Sequence, residues 1–195
     1  SWSAPARMSQ HGGEVAMTAV GEGRAPDDRS ALVITLSTAN PLLEAAAEVN
    51  PALVRKGLPA HVSLLYPFLP AAELTADVDA EVRDLAASLP AVETDLKDFV
   101  AAPRFVAVPV PALQPVADAF CARWPHIAPY GGRFGERPEP HVTLATGATD
   151  EEAERVRDRV RPLLPLRVAA WRVDLVVRTG GDWRLRLTAP FAASP

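Results

Sequence analysis

The segments HVSLL, residues 61–65, and HVTLA, residues 141–145, set histidine, valine, a small hydroxyl and leucine in the same order 80 residues apart. In an extended strand the side chains at i and i+2 share a face and lie about 6.5–7 Å apart. His61 therefore shares a face with Ser63, and His141 with Thr143. The alternate residues, Val62 and Leu64 in one segment and Val142 and Leu144 in the other, are apolar and point to a core. Burying them fixes the register, because a slip of one residue would carry each histidine inward. Both polar pairs are thereby aimed at a cleft.

The flanking sequence repeats as well. Before the first segment, ALVITLS (residues 31–37) reads as a strand. Asn40-Pro41 supplies an N-cap and a proline at the first helical position for a helix over LLEAAAEVNPALVRKG, with Pro51 as the point where it can break. After it, ELTADVDAEVRDLAASL places Leu74, Val78, Val82, Leu85 and Leu89 on one helical stripe. Two strands follow, in AVETDLKDFV and RFVAVPV, then a helix ending at Trp124 and the long loop PHIAPYGGRFGERPEP. The second segment is succeeded by Thr149 and Glu152, a capping box for the helix EEAERVRDRV. RVAAWRVDLVV and DWRLRLTAPF close the chain as strands joined across Gly180-Gly181, a dipeptide suited to a hairpin turn. Each half reads strand, helix, histidine strand, helix, strand. This order predicts an internal duplication with pseudo-twofold symmetry: one α+β domain over 29–195, with lobes at about 31–98 and 103–190 flanking a central cleft. Residues 1–28 show no period and are expected to be a tail outside the fold; Met8 and Met17 are both possible starts, and His11 belongs to the tail.

Composition narrows the function. With 195 residues and 48 % apolar content the chain can bury a proper core. Its twenty prolines, roughly twice the usual share of about 5 %, fall mainly between apolar runs and punctuate loops. Cys121 is the only cysteine, so neither an intramolecular disulfide nor a Cys/His zinc pattern is available, and a reducing, cytoplasmic setting is expected. Its helical spacing to Ala117 marks it as a packing thiol. No apolar run approaches the ~20 residues of a membrane-spanning helix. The net charge of −4 is divided unevenly: residues 1–98 hold 7 basic and 14 acidic side chains, residues 99–195 hold 13 and 10. That distribution excludes a bulk binder of duplex nucleic acid and leaves a small phosphate ligand or an RNA end.

Two facing histidines and two hydroxyls suit one chemistry. An imidazole gives or takes a proton near neutrality, so a pair can serve as base and acid in one turnover. The hydroxyls can donate to non-bridging oxygens as a phosphorus centre becomes five-coordinate. Four histidines without clustered carboxylates make a poor metal site, so neither metal nor other cofactor is expected.

The paired motifs HVSL and HVTL resemble the H-x-[S/T]-x motifs of the 2H phosphoesterase superfamily, the LigT-like group that includes 2′-5′ RNA ligases and RNA 2′,3′-cyclic phosphodiesterases. The likeness runs from about Ala31 to Pro190 and includes YPF after the first motif, and PYGGRF and PH before the second. It implies two small antiparallel sheets with helices outside, and metal-free cleavage of cyclic or 2′-5′ phosphodiesters. Carried over, it makes His61 and His141 the catalytic acid and base and Ser63 and Thr143 the phosphate binders. Symmetry does not decide which histidine is the base. Tyr66, Tyr130 and Arg133 are candidate substrate contacts at the cleft rim. Arg178, Arg184 and Arg186 read as a solvated face by the hairpin, His126 as a loop residue, and the charge run in EEAERVRDRV as an exposed helix face. The expected protein is a monomeric phosphoesterase that hydrolyses a 2′,3′-cyclic phosphate at an RNA end or on a nucleotide, with 2′-5′ ligation as the reverse. A hydrolase of another cyclic oligonucleotide or of an ADP-ribose cyclic phosphate is the alternative within enzymes. A non-catalytic nucleotide- or RNA-binding module is the alternative outside them.

Overall fold

A computed structural model of the chain describes residues 27–193, so the expectations for the tail, His11 included, fall almost wholly outside it. Eight strands and four α-helices are described: β1 (Ser30–Thr35), α1 (Asn40–Val49), β2 (His61–Leu65), α2 (Ala76–Ala87), β3 (Val92–Leu96), β4 (Val106–Pro109), α3 (Gln114–Arg123), β5 (His141–Ala145), α4 (Asp150–Val160), β6 (Leu166–Ala170), β7 (Arg172–Thr179) and β8 (Asp182–Pro190). The fold is α+β with antiparallel sheets, one large and one small. The large sheet has the order β4-β5-β2-β1-β7-β8, and β3 pairs with β6 in the small one.

The large sheet is continuous across the two halves. β2 and β5 lie side by side within it and meet at the pair Val62 and Val142. The small sheet likewise takes β3 from one half and β6 from the other, with Thr94 opposite Val168. Elements of the second half stand 74 residues after their counterparts, as at Asn40 and Gln114, Ala76 and Asp150, and Val92 and Leu166. The histidine strands depart most from this spacing, beginning 80 residues apart. Segment 124–140, before β5, is six residues longer than 50–60, before β2; segment 66–75 is six residues longer than 146–149 and restores it. The β7–β8 hairpin has no counterpart and extends the sheet beyond β1.

Alternation along the strands separates two faces. Leu32, Ile34, Val62, Leu64, Val142 and Leu144 enter the main core, where they meet Leu42 and Ala46 of α1, Val82 and Ala86 of α2, Phe120 of α3 and Val156 of α4. A smaller cluster of Ala31, Val33, Val176 and Trp183, joined by Leu58 and Tyr66, covers the opposite face beside the motifs. Each fully buried leucine contributes about 1.5–3 kcal/mol, enough to hold the register that turns His61 and His141 away from the main core. The predicted capping box is present at α4: Glu152 N–H donates to Thr149 Oγ1, and Thr149 N–H to Glu152 Oε1. Gly180 and Gly181 both have positive φ in the β7–β8 turn, as a tight hairpin requires.

Three local expectations need correction. The helix from Asn40 ends at Val49; a short 3-10 turn covers Pro51–Leu53, and Arg55 to Gly57 are not helical. Asn40 does not cap its own helix, because its side-chain oxygen accepts from the Ala60 N–H instead, just before β2. The run RVAAWRVDLVV is two strands: β6 pairs with β3, β7 pairs with β1, and the chain changes sheets at Trp171.

Candidate active site

Val62 and Val142 form a directly opposed antiparallel pair. Carrying that register one residue either way sets His61 across from Thr143 and Ser63 across from His141. Cross-strand neighbours have Cβ atoms about 4.5–5.5 Å apart, so the two imidazoles and two hydroxyls occupy the corners of one small quadrilateral on the sheet. All four side chains are half-buried while Val62, Leu64, Val142 and Leu144 are buried.

The two histidines are held in the same way. His61 Nδ1 lies 2.8 Å from the Pro59 carbonyl, and His141 Nδ1 lies 2.9 Å from the Glu139 carbonyl. A carbonyl oxygen only accepts, so in both rings Nδ1 carries the hydrogen and Nε2 is left free to exchange a proton. The segments before each histidine are fastened alike: Leu36 N–H donates to the Ala60 carbonyl and Val110 N–H to the Pro140 carbonyl, each at 2.7 Å. A loop of fixed geometry before each strand thus sets both the tautomer and the direction of the ring.

Proton affinity is low at both rings. Burial brings His61 down from 6.5 to about 4, opposed by the Pro59 bond and reinforced by the charges of Arg55 and His141. His141 is also lowered, chiefly by burial; the Glu139 carbonyl and carboxylate oppose the shift and Arg55 adds to it. Desolvation disfavours the imidazolium in each case.

Tyr130 joins the two motifs. Its ring stacks on His141 with centroids 6.3 Å apart, and its phenol interacts with the Ser63 hydroxyl. Burial raises the phenol above its ordinary range against the opposing influence of Ser63 and Arg55, so it stays neutral. Its backbone is left-handed, with φ 54° and ψ 28°, a conformation that costs a non-glycine residue about 1–3 kcal/mol. Pro129 before it, Gly131 after it and a 2.7 Å bond from its N–H to the Tyr66 carbonyl hold that turn.

The other two rim candidates have other neighbours. Tyr66 packs against Trp183 at 5.9 Å and its hydroxyl accepts from Arg29 at 3.1 Å. Arg133 is exposed and lies over the Phe134 ring at 5.6 Å. Arg178 is buried, not part of a solvated face, whereas Arg186 binds Asp79 and the Leu74 carbonyl. His126 is an exposed loop residue, and Cys121 packs against the core with its thiol raised by burial. Among the described residues no group of three His, Cys, Asp or Glu side chains could hold a metal ion, and no helix is long and apolar enough to cross a membrane.

Sequence reasoning missed Arg55. Its charge acts on His61, His141 and Tyr130 alike, so it stands beside the site and not on a helix surface. The signal was the stretch RKGLPAH, a cation in a Gly- and Pro-containing segment six residues before the histidine.

With this fold and paired-histidine site, the chain belongs to the 2′-5′ RNA ligase superfamily, whose family pattern matches residues 35–182. That agrees with the 2H phosphoesterase resemblance carried by the motifs. Among solved structures, one described as a phosphoesterase superposes with a TM-score of 0.52 at 18 % identity, over 85 % of this chain and 99 % of that one. Usb1 of Kluyveromyces marxianus gives a TM-score of 0.50 at 17 % identity, over 84 % of this chain and 98 % of its own. E. coli LigT complexed with phosphate gives 0.50 at 17 % identity, over 87 % and 100 %. A comparison with curated proteins returned no match. At such identities the structural likeness speaks for the fold.

Proposed function

We propose that this protein is a metal-independent phosphoesterase that opens a 2′,3′-cyclic phosphate, at an RNA end or on a nucleotide, with His61 as general base and His141 as general acid. The observation that carries the reading is the matched pair of half-buried imidazoles, each fastened through Nδ1, each with Nε2 left free, and each opposite a hydroxyl residue of the other strand. His61 Nε2 takes a proton from water as its oxygen bonds to phosphorus. The bond from phosphorus to one ribose oxygen breaks, and that oxygen takes the proton from His141 Nε2. Ser63 and Thr143 donate to the non-bridging oxygens, whose charge grows in the transition state. The assignment of the base follows proton affinity: His61, held down to about 4, is neutral over the working range.

Membership of the superfamily supports a phosphoesterase or RNA-ligase type of activity. The E. coli LigT structures with phosphate and with 3′-AMP support a nucleotide-sized anion as the ligand. Ligation would use the same proton transfers with a 5′-hydroxyl in place of water: the bond from phosphorus to the ribose 3′-oxygen breaks and a 2′-5′ linkage remains. The reading includes a monomer in the cytoplasm, one domain over 29–195, and halves related by duplication; the recurrent spacing of elements supports the last. The test is turnover of 2′,3′-cyclic nucleotides, 2′-5′ dinucleotides and cyclic oligonucleotides by the wild type and His61→Ala. Hydrolysis of the 2′,3′-cyclic substrates that disappears in the variant is expected. Binding without turnover across the whole panel would instead identify a nucleotide-binding module.

A further inference from the structure

We propose that Arg55 is a third anion-holding group of this site, a guanidinium that grips the non-bridging oxygens of the phosphate between the two motifs. The inference rests on the phosphoesterase reading and adds a residue to it. Arg55 sits on segment 54–60, a strap fastened at several points around the site. At its start the Leu53 carbonyl accepts from Thr146 N–H at 2.9 Å, directly after the second motif strand. At its end Ala60 is held through both its N–H and its carbonyl, and the Pro59 carbonyl receives His61 Nδ1–H. Between them Gly57, at φ 103°, turns the chain, and Leu58 packs with Val33, Tyr66 and Trp183 on the motif face of the sheet. The strap therefore runs from one motif to the other with Arg55 upon it.

The side chain is half-buried, and among the described residues it interacts with His61, Tyr130 and His141 through its charge and with no carboxylate. Arg157 and Arg172, also withdrawn from solvent, each lie against a carboxylate. A cation without such a partner among the described residues, close enough to weaken proton binding at both imidazoles, works against the protonated acid when the site is empty. The arrangement becomes complementary once an anion lies among the three groups. Arginine suits that place because its planar fork binds two phosphate oxygens at once and its charge does not titrate away. By the 74-residue correspondence, segment 50–60 answers to segment 124–140, which delivers Tyr130. The two counterpart loops thus each contribute one side chain, a cation from the first and a phenol from the second. Arg55 gains most from the phosphomonoester dianion, so product is expected to bind more tightly than the cyclic monoanion.

The experiment is an NMR titration of the imidazole resonances with inorganic phosphate and with a nucleoside 2′-monophosphate, in wild type, Arg55→Met and Arg55→Lys, beside kcat and KM for a 2′,3′-cyclic nucleotide. Arg55→Met is expected to weaken both ligands roughly tenfold to hundredfold, to lower kcat/KM comparably, and to raise the pH at which both histidines titrate without ligand; Arg55→Lys recovers part of the affinity. Wild-type affinity for phosphate in Arg55→Met, or no phosphate binding by the wild type, overturns the proposal. Loss of phosphate binding in Arg55→Met by a protein that turns over no cyclic phosphate would keep Arg55 as the anion anchor and remove the hydrolase reading.

Discussion

His61 and His141 are alike in tautomer and unlike in proton affinity, and the difference makes a pH prediction. The base must be neutral and the acid protonated, so kcat/KM is lost as pH falls through the His61 value and as it rises through the His141 value. Since burial holds His61 at about 4 and His141 below 6.5, the bell is expected between those limits, on the acidic side of an unperturbed pair. A kcat/KM profile flat from pH 4 to 8, with chemistry rate-limiting, would contradict this. The hydroxyls make a second prediction. Ser63→Ala and Thr143→Val each remove a donor that faces the site and not the core, so turnover should fall by roughly 10²–10³ with the unfolding midpoint unchanged. Full activity in the double variant would remove the hydroxyls from the mechanism.

At the scale of the element, what could be read in advance was whatever depends on local period. Val62 and Leu64, and Val142 and Leu144, announced two half-buried strands, and both formed with His61 and His141 on the open face. The Thr149 and Glu152 capping box formed for the same reason, since both partners lie within one turn. Glu152 also accepts from Asn50 Nδ2 at 2.8 Å and so fastens the end of α1 to the start of α4. Thr149→Ala is expected to cost roughly 0.5–2 kcal/mol, measured by urea unfolding, with activity retained below the transition; an unchanged midpoint would show that the cap is idle. The misreadings came from tertiary partners that no local rule sees. Asn40 looks like an N-cap but serves Ala60, twenty residues on. The apolar run through Trp171 looks like one strand, yet its halves pair in different sheets. Arg55 lies past the break that Pro51 allowed, on a segment whose course no local period sets. The placement of Tyr130 was equally hidden, because it depends on a left-handed turn and on the distant Tyr66 carbonyl.

For the whole molecule, the local twofold through Val62 and Val142 explains how two short motifs make one site. Neither half holds a complete set: each supplies one imidazole and one hydroxyl, and the pairing of β2 with β5 unites them. The departures from symmetry fall in the loops before and after the histidine strands, where Arg55 and Tyr130 enter from different sides. On the proposed reading, that division places proton transfer and the phosphate-binding hydroxyls on the strands and adds further ligand contacts from the loops. The account needs no metal, so hydrolysis should survive exhaustive chelation; loss with EDTA and rescue by added divalent metal would contradict it. The most direct test is a double-mutant cycle on the histidines, with single-turnover hydrolysis of a 2′,3′-cyclic nucleotide measured for wild type, His61→Ala, His141→Ala and the double variant. Because the two rings act in one proton relay, each single variant should lose ~10²–10⁴-fold and the double variant little more than the weaker single. Wild-type rates in either single variant, or losses that multiply in the double, would contradict a mechanism in which His61 and His141 act together.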